Sequence, residues 1–543
     1  MNTGGQNPFF KNEISQEIFS TAQVVLEEIK GGEPVLKSIR RHPLTNGGYV
    51  SKHNLVTVYR QLMQSAGLQP DAQLLARIRM KPMRSLSGVS TITVLTKPHP
   101  CPGECIFCPE DAELPKSYLR KEPGAARAYQ SQFDPYRQVS SRLDSYHAIG
   151  HPTDKIELLI LGGCWTAYPA DYQDWFILRC LDALNKEDSP DIEEAQRLNQ
   201  HASHRNVGLV VETRPDEITP QRLTQMRCQG VTKIQLGAQS FDDHILMLNR
   251  RGHTSQDTLQ ATAMLRAAGF KIVLHWMPNL LGATLETDRA DFQHLWSDGY
   301  APDELKIYPT QLIESSALYQ LWLKKEYTPY TTEELIQLIA DIKPDIPPYC
   351  RVNRIVRDIP ADYIVAGNKR SSLRQDVLAE MARRGAQCRC IRCREVRGHP
   401  VDINKLEMKD MTYSAAYAEE HFLNYVTSEN RLAGYLRLSL PDISNQAAHE
   451  TWRDELYQLM PELKGAAIVR EVHVYGQSLE IGSDLPGASQ HIGLGTSLLQ
   501  RAEDITRQNG FPSLVVISAV GTCEYYRKRG FTESEYYMVK AIS

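Results

Sequence analysis

Between about residues 90 and 310, six short β-branched runs alternate with longer amphipathic stretches, and this alternation limits the possible folds more than any other feature. The runs are 91–96, 155–161, 207–213, 232–236, 271–276 and 304–308; stretches such as 124–149, 217–228 and 255–268 separate them. Strands spaced by helix-length connections pair in parallel, because a parallel neighbour is reached only by a crossover of a dozen residues or more. The expectation is an α/β fold over residues 89–345, a partial (β/α) barrel whose chemistry sits at the C-terminal strand ends.

The chain, at 543 residues, is too long for one core. Residues 1–88 read as helical, with apolar spacing over 14–29 and 55–66 and breaks at Gly31-Gly32 and Gly47-Gly48. Prolines punctuate the segment KPDIPPY at 343–349, and residues 346–400 read as a linker. Residues 401–543 form a compact α+β unit of one-domain size, with strands at 432–438, 467–474 and 514–518 and a helix over 495–508. No apolar run approaches the ~18–20 residues that span a bilayer. The first residues, with Lys11, Glu13 and Glu17, lack a signal design, so a cytoplasmic protein with no membrane partner is expected.

The net charge of −4 argues against a globally basic coat, yet it is unevenly spread. From Pro34 to Arg84 there are nine Lys/Arg against the single acid Asp71, a local +8 that leaves −12 elsewhere. Lys37, Arg40, Arg41, Lys52, Arg77, Arg79, Lys81 and Arg84 are candidates for a phosphate-contacting, tRNA-binding face; a solvated helix face is the plainer alternative.

Two tight groups among the eleven cysteines read as metal ligands in a reducing compartment. Cys101, Cys105 and Cys108 follow the first predicted strand in a CxxxCxxC arrangement. Three thiolates around a 4Fe–4S cluster leave one iron open, the iron that chelates S-adenosylmethionine (SAM) in radical-SAM enzymes. A structural zinc loop would want a fourth ligand nearby, and no Cys or His follows Cys108 closely. Gly162 and Gly163 end the second strand, where backbone must approach the ligand. Cys164 stands where many radical-SAM enzymes carry Glu. Glu212, Gln235 and Gln239 lie at or near the ends of the next two strands and complete a candidate SAM site.

Gln490-His-Ile-Gly493-Leu494-Gly495-Thr496 matches the Q/R-x-x-G-x-G/A loop of GNAT acetyltransferases, in which backbone N–H groups at a helix start cradle the CoA pyrophosphate. Tyr525 and Tyr526 resemble the GNAT ending, where a tyrosine lies near the thioester; both also suit a core or a surface. Cys388, Cys390 and Cys393 supply three thiolates for a structural zinc, with His399 and Cys350 as unranked fourth ligands and redox-active thiols as the alternative.

The combination resembles the catalytic subunit of Elongator and its stand-alone bacterial and archaeal relatives. The resemblance runs in order through RRHPLTNGGYVSKHNL, LPKSYLRKEPGAARA with FDPY, KIELLILGG, ETRPD, QLGAQS, LKIYPT, RIVRDIP, CRCIRCREV, REVHVYG and YYRKRGF. It implies formation of 5-carboxymethyluridine at wobble position 34 of tRNA: a SAM-derived radical activates the methyl of acetyl-CoA, the carbon adds to the uridine, and the thioester is hydrolysed. By matching segment, it implies acetyl-CoA contacts at Glu471, Val472, His473, Val474, Leu494, Gly495, Thr496 and Tyr526, with Tyr526 among the catalytic residues. Lys155 matches a lysine that reaches CoA from the radical half, and Lys306 is a weaker SAM-site candidate. Eukaryotic members have a longer insert between the first two cluster cysteines, and the shorter spacing here favours an intact cluster; the CRCIRC motif resembles the archaeal and bacterial members more, implying action without other Elongator subunits. The competing reading is a protein lysine acetyltransferase with a structural iron–sulfur barrel; a non-catalytic tRNA-binding scaffold is a third.

Overall fold

The computed structural model describes residues 14–68, 71–82, 88–397, 401–441, 450–475 and 493–542. They fall into two compact units, Met1–Ser90 with Ser141–Thr153, and Thr91–Ser140 with Asp154–Ser543.

The first unit is helical. Ser15 and Ser51 start the helices Gln16–Lys30 and Lys52–Ser65 by accepting the Ile18 and Asn54 amides on their hydroxyls. Ala22, Val25, Leu26 and Ile29 recur at helical spacing, so one stripe of the first helix is buried against Leu55, Val56, Val58 and Tyr59 of the other. The short helices Val35–Arg41 and Ala72–Ile78 complete the unit.

The second unit holds two seven-stranded sheets. In the first, β1 (Ser90–Leu95), β2 (Lys155–Leu161), β3 (Arg205–Thr213), β4 (Lys233–Gln239), β5 (Lys271–Trp276) and β6 (Glu304–Ile307) lie side by side in chain order. A short strand, β7 (Leu312–Ile313), leaves the row; β8 (Arg351–Arg354) joins it beside β6, and β9 (Ile364–Ala366) pairs with β7. From β2 onward every neighbour pair of this sheet is parallel. The sequence expectation of six strands over 89–345 thus falls one strand short. RVNR at β8 is four residues long with one buried apolar side chain, and carries no strand periodicity to read. The stretch read as 124–149 is two helices, Pro123–Gln130 and Pro135–Ala148, parted where Gln132 and Phe133 take positive φ. Capping boxes at Thr254/Asp257, Thr284/Thr287 and Thr331/Glu334 start three of the later helices.

The second sheet comprises β10 (Glu407–Ala415), β11 (Ala418–Val426), β12 (Leu432–Pro441), β13 (Ala466–Val474), β14 (Ser513–Val516), β15 (Thr532–Glu533) and β16 (Met538–Ala541). The β10–β11 hairpin was not expected; β10 is an edge strand with mostly polar residues, so its apolar content gives no signal. Every residue of β12 is buried. Leu436 and Leu438 face the helix Leu494–Gln508 through Leu498, Leu499 and Ala502. Arg437, on the opposite face, reaches Asp303 and the Tyr349 carbonyl of the first sheet's half.

This second half covers the N-terminal ends of the barrel strands. Arg470 pairs with Asp303, just before β6, and donates to the Phe270 carbonyl just before β5. A Cβ on Gly521 would collide with Arg205 and Asn206 at the start of β3. The C-terminal strand ends, where the cysteine loop lies, are at the other end of the barrel.

Candidate functional site

At the C-terminal end, the loop after β1 holds Cys101, Cys105 and Cys108. Cys105 is buried, and the Arg251 Nη1 donates to its Sγ at 3.2 Å. The Cys108 thiol, with the Arg251 and Arg214 guanidiniums, holds Cys105 down to about 5 against the opposing pull of burial. Arg214 packs so closely over Gly103 that no Cβ would fit there, and its buried Nη1 has no hydrogen-bond acceptor. Two buried guanidiniums facing three thiols suit an anionic metal–thiolate group: the donor set and the spare N–H fit an iron–sulfur cluster. Neither arginine was singled out from sequence. The signal was present, since Arg214 belongs to ETRPD, but its target lies 111 residues away in the chain.

Gly162 and Gly163 take φ of +144° and +95°, and a Cβ at Gly162 would clash with Thr96. Their amides donate to one oxygen of Glu212 at 3.0 and 2.9 Å, and the Tyr118 hydroxyl donates to the same atom at 2.6 Å. Glu212 therefore fixes the glycine turn. Gln235 Oε1 accepts from Lys306 Nζ and lies 3.0 Å from His275 Nε2, so two expected residues meet there with a histidine that sequence reasoning missed. Burial and the neighbouring Lys306 hold His275 neutral, its pKa well below the usual imidazole value. Gln239 takes φ of +74°, and its buried Oε1 has no partner. Cys164 is buried, with its thiol against the Thr166 and Thr213 hydroxyls.

Along the same interior face, toward the N-terminal ends, runs a row of ion pairs: Glu157–Lys233, Lys233–Glu304, Glu304–Lys271 and Lys271–Glu471. It ends on β13. Lys155 is the first residue of β2, in register with Arg205 of β3, and burial lowers its ammonium pKa.

β13 pairs with β12 along Gly434–Ser439, but its parallel partner β14 reaches only as far as Val469↔Val516. Among the described residues, Glu471–Val474 therefore have an open backbone edge on that side. Gly493, at φ +106°, starts the helix Leu494–Gln508, and the Tyr525 hydroxyl lies against Gly495, where a Cβ would collide. Arg529, another residue missed from sequence, donates to Thr496 Oγ1 at 3.1 and 3.0 Å and covers the Tyr525 ring at 3.6 Å. Tyr526 is in the hydrophobic core with Phe531 and Leu498, and burial raises its phenol pKa. Of the two tyrosines, Tyr525 is the one on the glycine turn. Gln490, His491 and Ile492 lie outside the described residues.

Cys388, Cys390 and Cys393 bring their sulfurs within 4.8 Å of one another. Hydrogen bonds from Cys388 and Cys393 hold Cys390 well below the usual thiol range, and the buried Lys343 ammonium is 3.4 Å from Cys393 Sγ. Three convergent thiols fit zinc. Cys350 is not part of this group, although its carbonyl accepts the Ile391 amide, and His399 lies outside the described residues.

In the helical unit, Lys37 and Arg41 pair with Glu33, and Arg41 also with Glu28. Arg40 and Lys81 are exposed. Arg77 spends its guanidinium on the Ile29 and Glu33 carbonyls, Lys52 donates to the Arg77 carbonyl, and Arg79 is half-buried. Arg84 lies outside the described residues.

Residues 99–293 match the Radical SAM superfamily, and residues 302–383 match the Radical_SAM C-terminal domain. The chain is 39% identical over 499 residues to the tRNA uridine(34) acetyltransferase of Methanocaldococcus jannaschii, covering 89% of this chain and 90% of that one. It is 41% identical to the protein of the same name from Dehalococcoides mccartyi, covering 84% and 99%. Against human Elongator complex protein 3 the identity is 35%, covering 86% and 87%. The archaeal Methanocaldococcus infernus Elp3 with an N-terminal deletion superposes with a TM-score of 0.71 at 36% identity, covering 84% of this chain and 99% of that structure. This chain belongs to the Elp3 family. In this Elp3-family chain, the match over residues 302–383 spans β6 to β9 and so includes β8, which lies in the 346–400 segment that reads as a linker from sequence. No described helix is long and apolar enough to cross a membrane.

Proposed function

We propose that the chain modifies the wobble uridine of tRNA, using SAM, a 4Fe–4S cluster and acetyl-CoA to form 5-carboxymethyluridine, and that it does so without other subunits. The relatives' names, tRNA uridine(34) acetyltransferase, favour this substrate over a protein lysine. Cys101, Cys105 and Cys108 would hold the cluster, with Arg251 and Arg214 balancing its charge. When bound and reduced, the cluster supplies the electron that cleaves SAM and so provides hydrogen abstraction from an unactivated methyl group.

The other roles fall to the chain's own groups. Gly162 and Gly163, held by Glu212, present backbone to the methionine end of SAM. Gln235, Gln239 and Lys306 supply polar contacts on the same interior face. The open edge at Glu471–Val474 pairs with the pantetheine amides, and the amides at Gly493–Thr496, with Arg529 beside them, take the pyrophosphate. Tyr525, against Gly495, is nearer this path than Tyr526. Lys155 would reach CoA from the barrel side. Cys388, Cys390 and Cys393 would hold a structural zinc, and Lys37, Arg40, Arg41 and Lys81, all exposed, would contact phosphates together with Lys52, Arg77, Arg79 and Arg84.

One observation carries the joint use of SAM and acetyl-CoA. The strand with the open edge is bonded to the barrel through Lys271–Glu471, and at the other end of the barrel interior Arg251 joins the Cys105 sulfur to the Gly237 carbonyl of β4. The test is anaerobic. The reconstituted protein is given dithionite, SAM, acetyl-CoA and a tRNA with uridine at position 34, and the tRNA is digested for nucleoside mass spectrometry. The expected result is 5-carboxymethyluridine with the wild type and none with Cys105→Ala. Cleaved SAM without the product refutes the substrate. Acetyl transfer to histone peptides that survives Cys105→Ala refutes the reaction.

A further inference from the structure

Turning a thioester into a carboxylate requires a group that takes a proton from the attacking water. In this chain such a group is needed only if acetyl-CoA binds as proposed above. Side chains of β13 alternate: Val472 packs into the core of the second half, and Glu471 and His473 face the barrel. These two are the polar side chains on the open-edged segment Glu471–Val474.

Glu471 is fully engaged. Lys271 and Arg437 pair with it, and the Tyr435 hydroxyl donates to it at 2.8 Å. Three donors hold its carboxylate ionised and leave it no tendency to accept a proton. His473 differs. Its ring packs on one side against Tyr435, stacked at 5.7 Å between centroids, and Tyr475 at 4.5 Å, two rings that are themselves 6.3 Å apart. Its Nε2 is buried and has no hydrogen-bond partner. A buried ring nitrogen costs free energy unless something meets it, so an unused one marks a position for an incoming group. The charged groups facing the ring are Glu471, Lys271, Arg351 and Glu395, and they are already paired as Lys271–Glu471 and Arg351–Glu395. Burial, more than these paired charges, holds the ring neutral, its pKa down to about 4, so Nε2 is unprotonated before water arrives.

We propose that His473 is the general base that deprotonates the water attacking the acyl carbon of the CoA thioester. The water oxygen bonds to the acyl carbon as its proton passes to His473 Nε2. The carbon–sulfur bond then breaks, CoA leaves as the thiolate, and His473 returns the proton to it. The products are a carboxylic acid, ionised at neutral pH, and free CoA, with no oxidant or reductant consumed. Glu471 orients the strand and takes no proton.

The test uses the full-length, cluster-loaded protein with tRNA, and compares wild type, His473→Gln and His473→Ala. Release of CoA from acetyl-CoA is followed, and binding is measured separately with ethyl-CoA, a thioether that cannot be hydrolysed. The expectation is that His473→Gln binds ethyl-CoA within about threefold of wild type and loses hydrolysis by about 10²–10⁴-fold, the range for a missing general base. Added imidazole should restore hydrolysis to His473→Ala, which a purely structural role would not produce. Hydrolysis by His473→Gln within about threefold of wild type overturns the proposal. Loss of ethyl-CoA binding together with hydrolysis, with no rescue by imidazole, also overturns it and makes His473 a binding residue. Failure of the wild type to bind ethyl-CoA sinks the acetyl-CoA reading, and the proposal with it.

Discussion

The two ends of the barrel are built on opposite terms. At the N-terminal end, Asp303, Arg470, Glu420, Arg437 and Arg266 are all essentially inaccessible and lie within ion-pair reach of one another. At the C-terminal end, Arg214 Nη1 and Gln239 Oε1 are buried with neither a hydrogen bond nor an ion pair on that atom, and Gly162 and Gln239 hold left-handed backbone. By contrast, three joint atoms that lack a hydrogen bond, Arg266 Nη1, Glu420 Oε1 and Arg437 Nη1, each face an opposite charge at 3.3 Å. A closed network fixes how two halves meet, because any relative movement strands a charge in a low-dielectric interior. An end with unspent donors and acceptors is arranged for a guest. The difference teaches which end is joint and which is site.

The largest expected effect tests the joint. Arg470 donates to both Asp303 and Glu420, so Arg470→Met leaves two buried carboxylates short of a partner. The expected cost is about 3–5 kcal/mol, read from urea unfolding. The contrast holds if the protein that remains folded takes up iron as the wild type does. Iron uptake falling in step with stability would show that the two ends are one cooperative unit.

The next effect is at the other end. Gly162→Ala forces a Cβ into Thr96 and displaces the turn that Glu212 holds. Misplacing a bound reactant by an ångström costs about 100-fold in rate. Product formation by the protein that remains folded should fall by that factor, beyond what the loss of stability at this left-handed glycine accounts for. Equal losses of stability and rate would make this turn a structural element only.

How legible these ends were follows from the range of the interactions. The cysteine loop and both glycine turns are local patterns, and the sequence reading placed them on the loops where they occur. The strands over 155–161 and 271–276 were read to the residue because their apolar content alternates or runs unbroken. β8 and β10 escaped because Arg-Val-Asn-Arg and Glu-Met-Lys-Asp carry no such pattern. The Arg470–Asp303 pair joins residues 167 apart, and nothing local to either one signals the other. Arg529 was passed over for a similar reason: its partner Thr496 is 33 residues back, and a surface arginine is the commonest reading of RKR. Tyr525 and Tyr526 are adjacent, so only the packed helix Cys523–Arg527 decides which one meets Gly495.

The smallest effect concerns Glu471, where the joint borders the site, and it is a matter of pH. Lys271 and Arg437 hold its carboxyl down to about 2, against burial, from an ordinary value of 4.5. A carboxyl with a depressed folded-state pKa binds its proton more readily in the unfolded chain. Its contribution to stability is therefore complete above about pH 5 and is lost as pH falls through the interval from about 4.5 toward 2. The amount is on the order of 2–3 kcal/mol, smaller than for Arg470 because Lys271 keeps Glu304 and Arg437 keeps Asp303 when Glu471 is changed. Glu471→Gln should thus be less stable than wild type at pH 7, and the two unfolding midpoints should converge as the buffer is taken from pH 5 to pH 3. A constant gap across that range would mean that the Glu471 contribution is packing and not charge, and the row of ion pairs would then end at Lys271 and Glu304, inside the barrel. Convergence keeps β13 in the electrostatic network, which places the open edge under the control of the joint: the strand proposed to receive CoA would be held in position by the same charges that hold the two halves together.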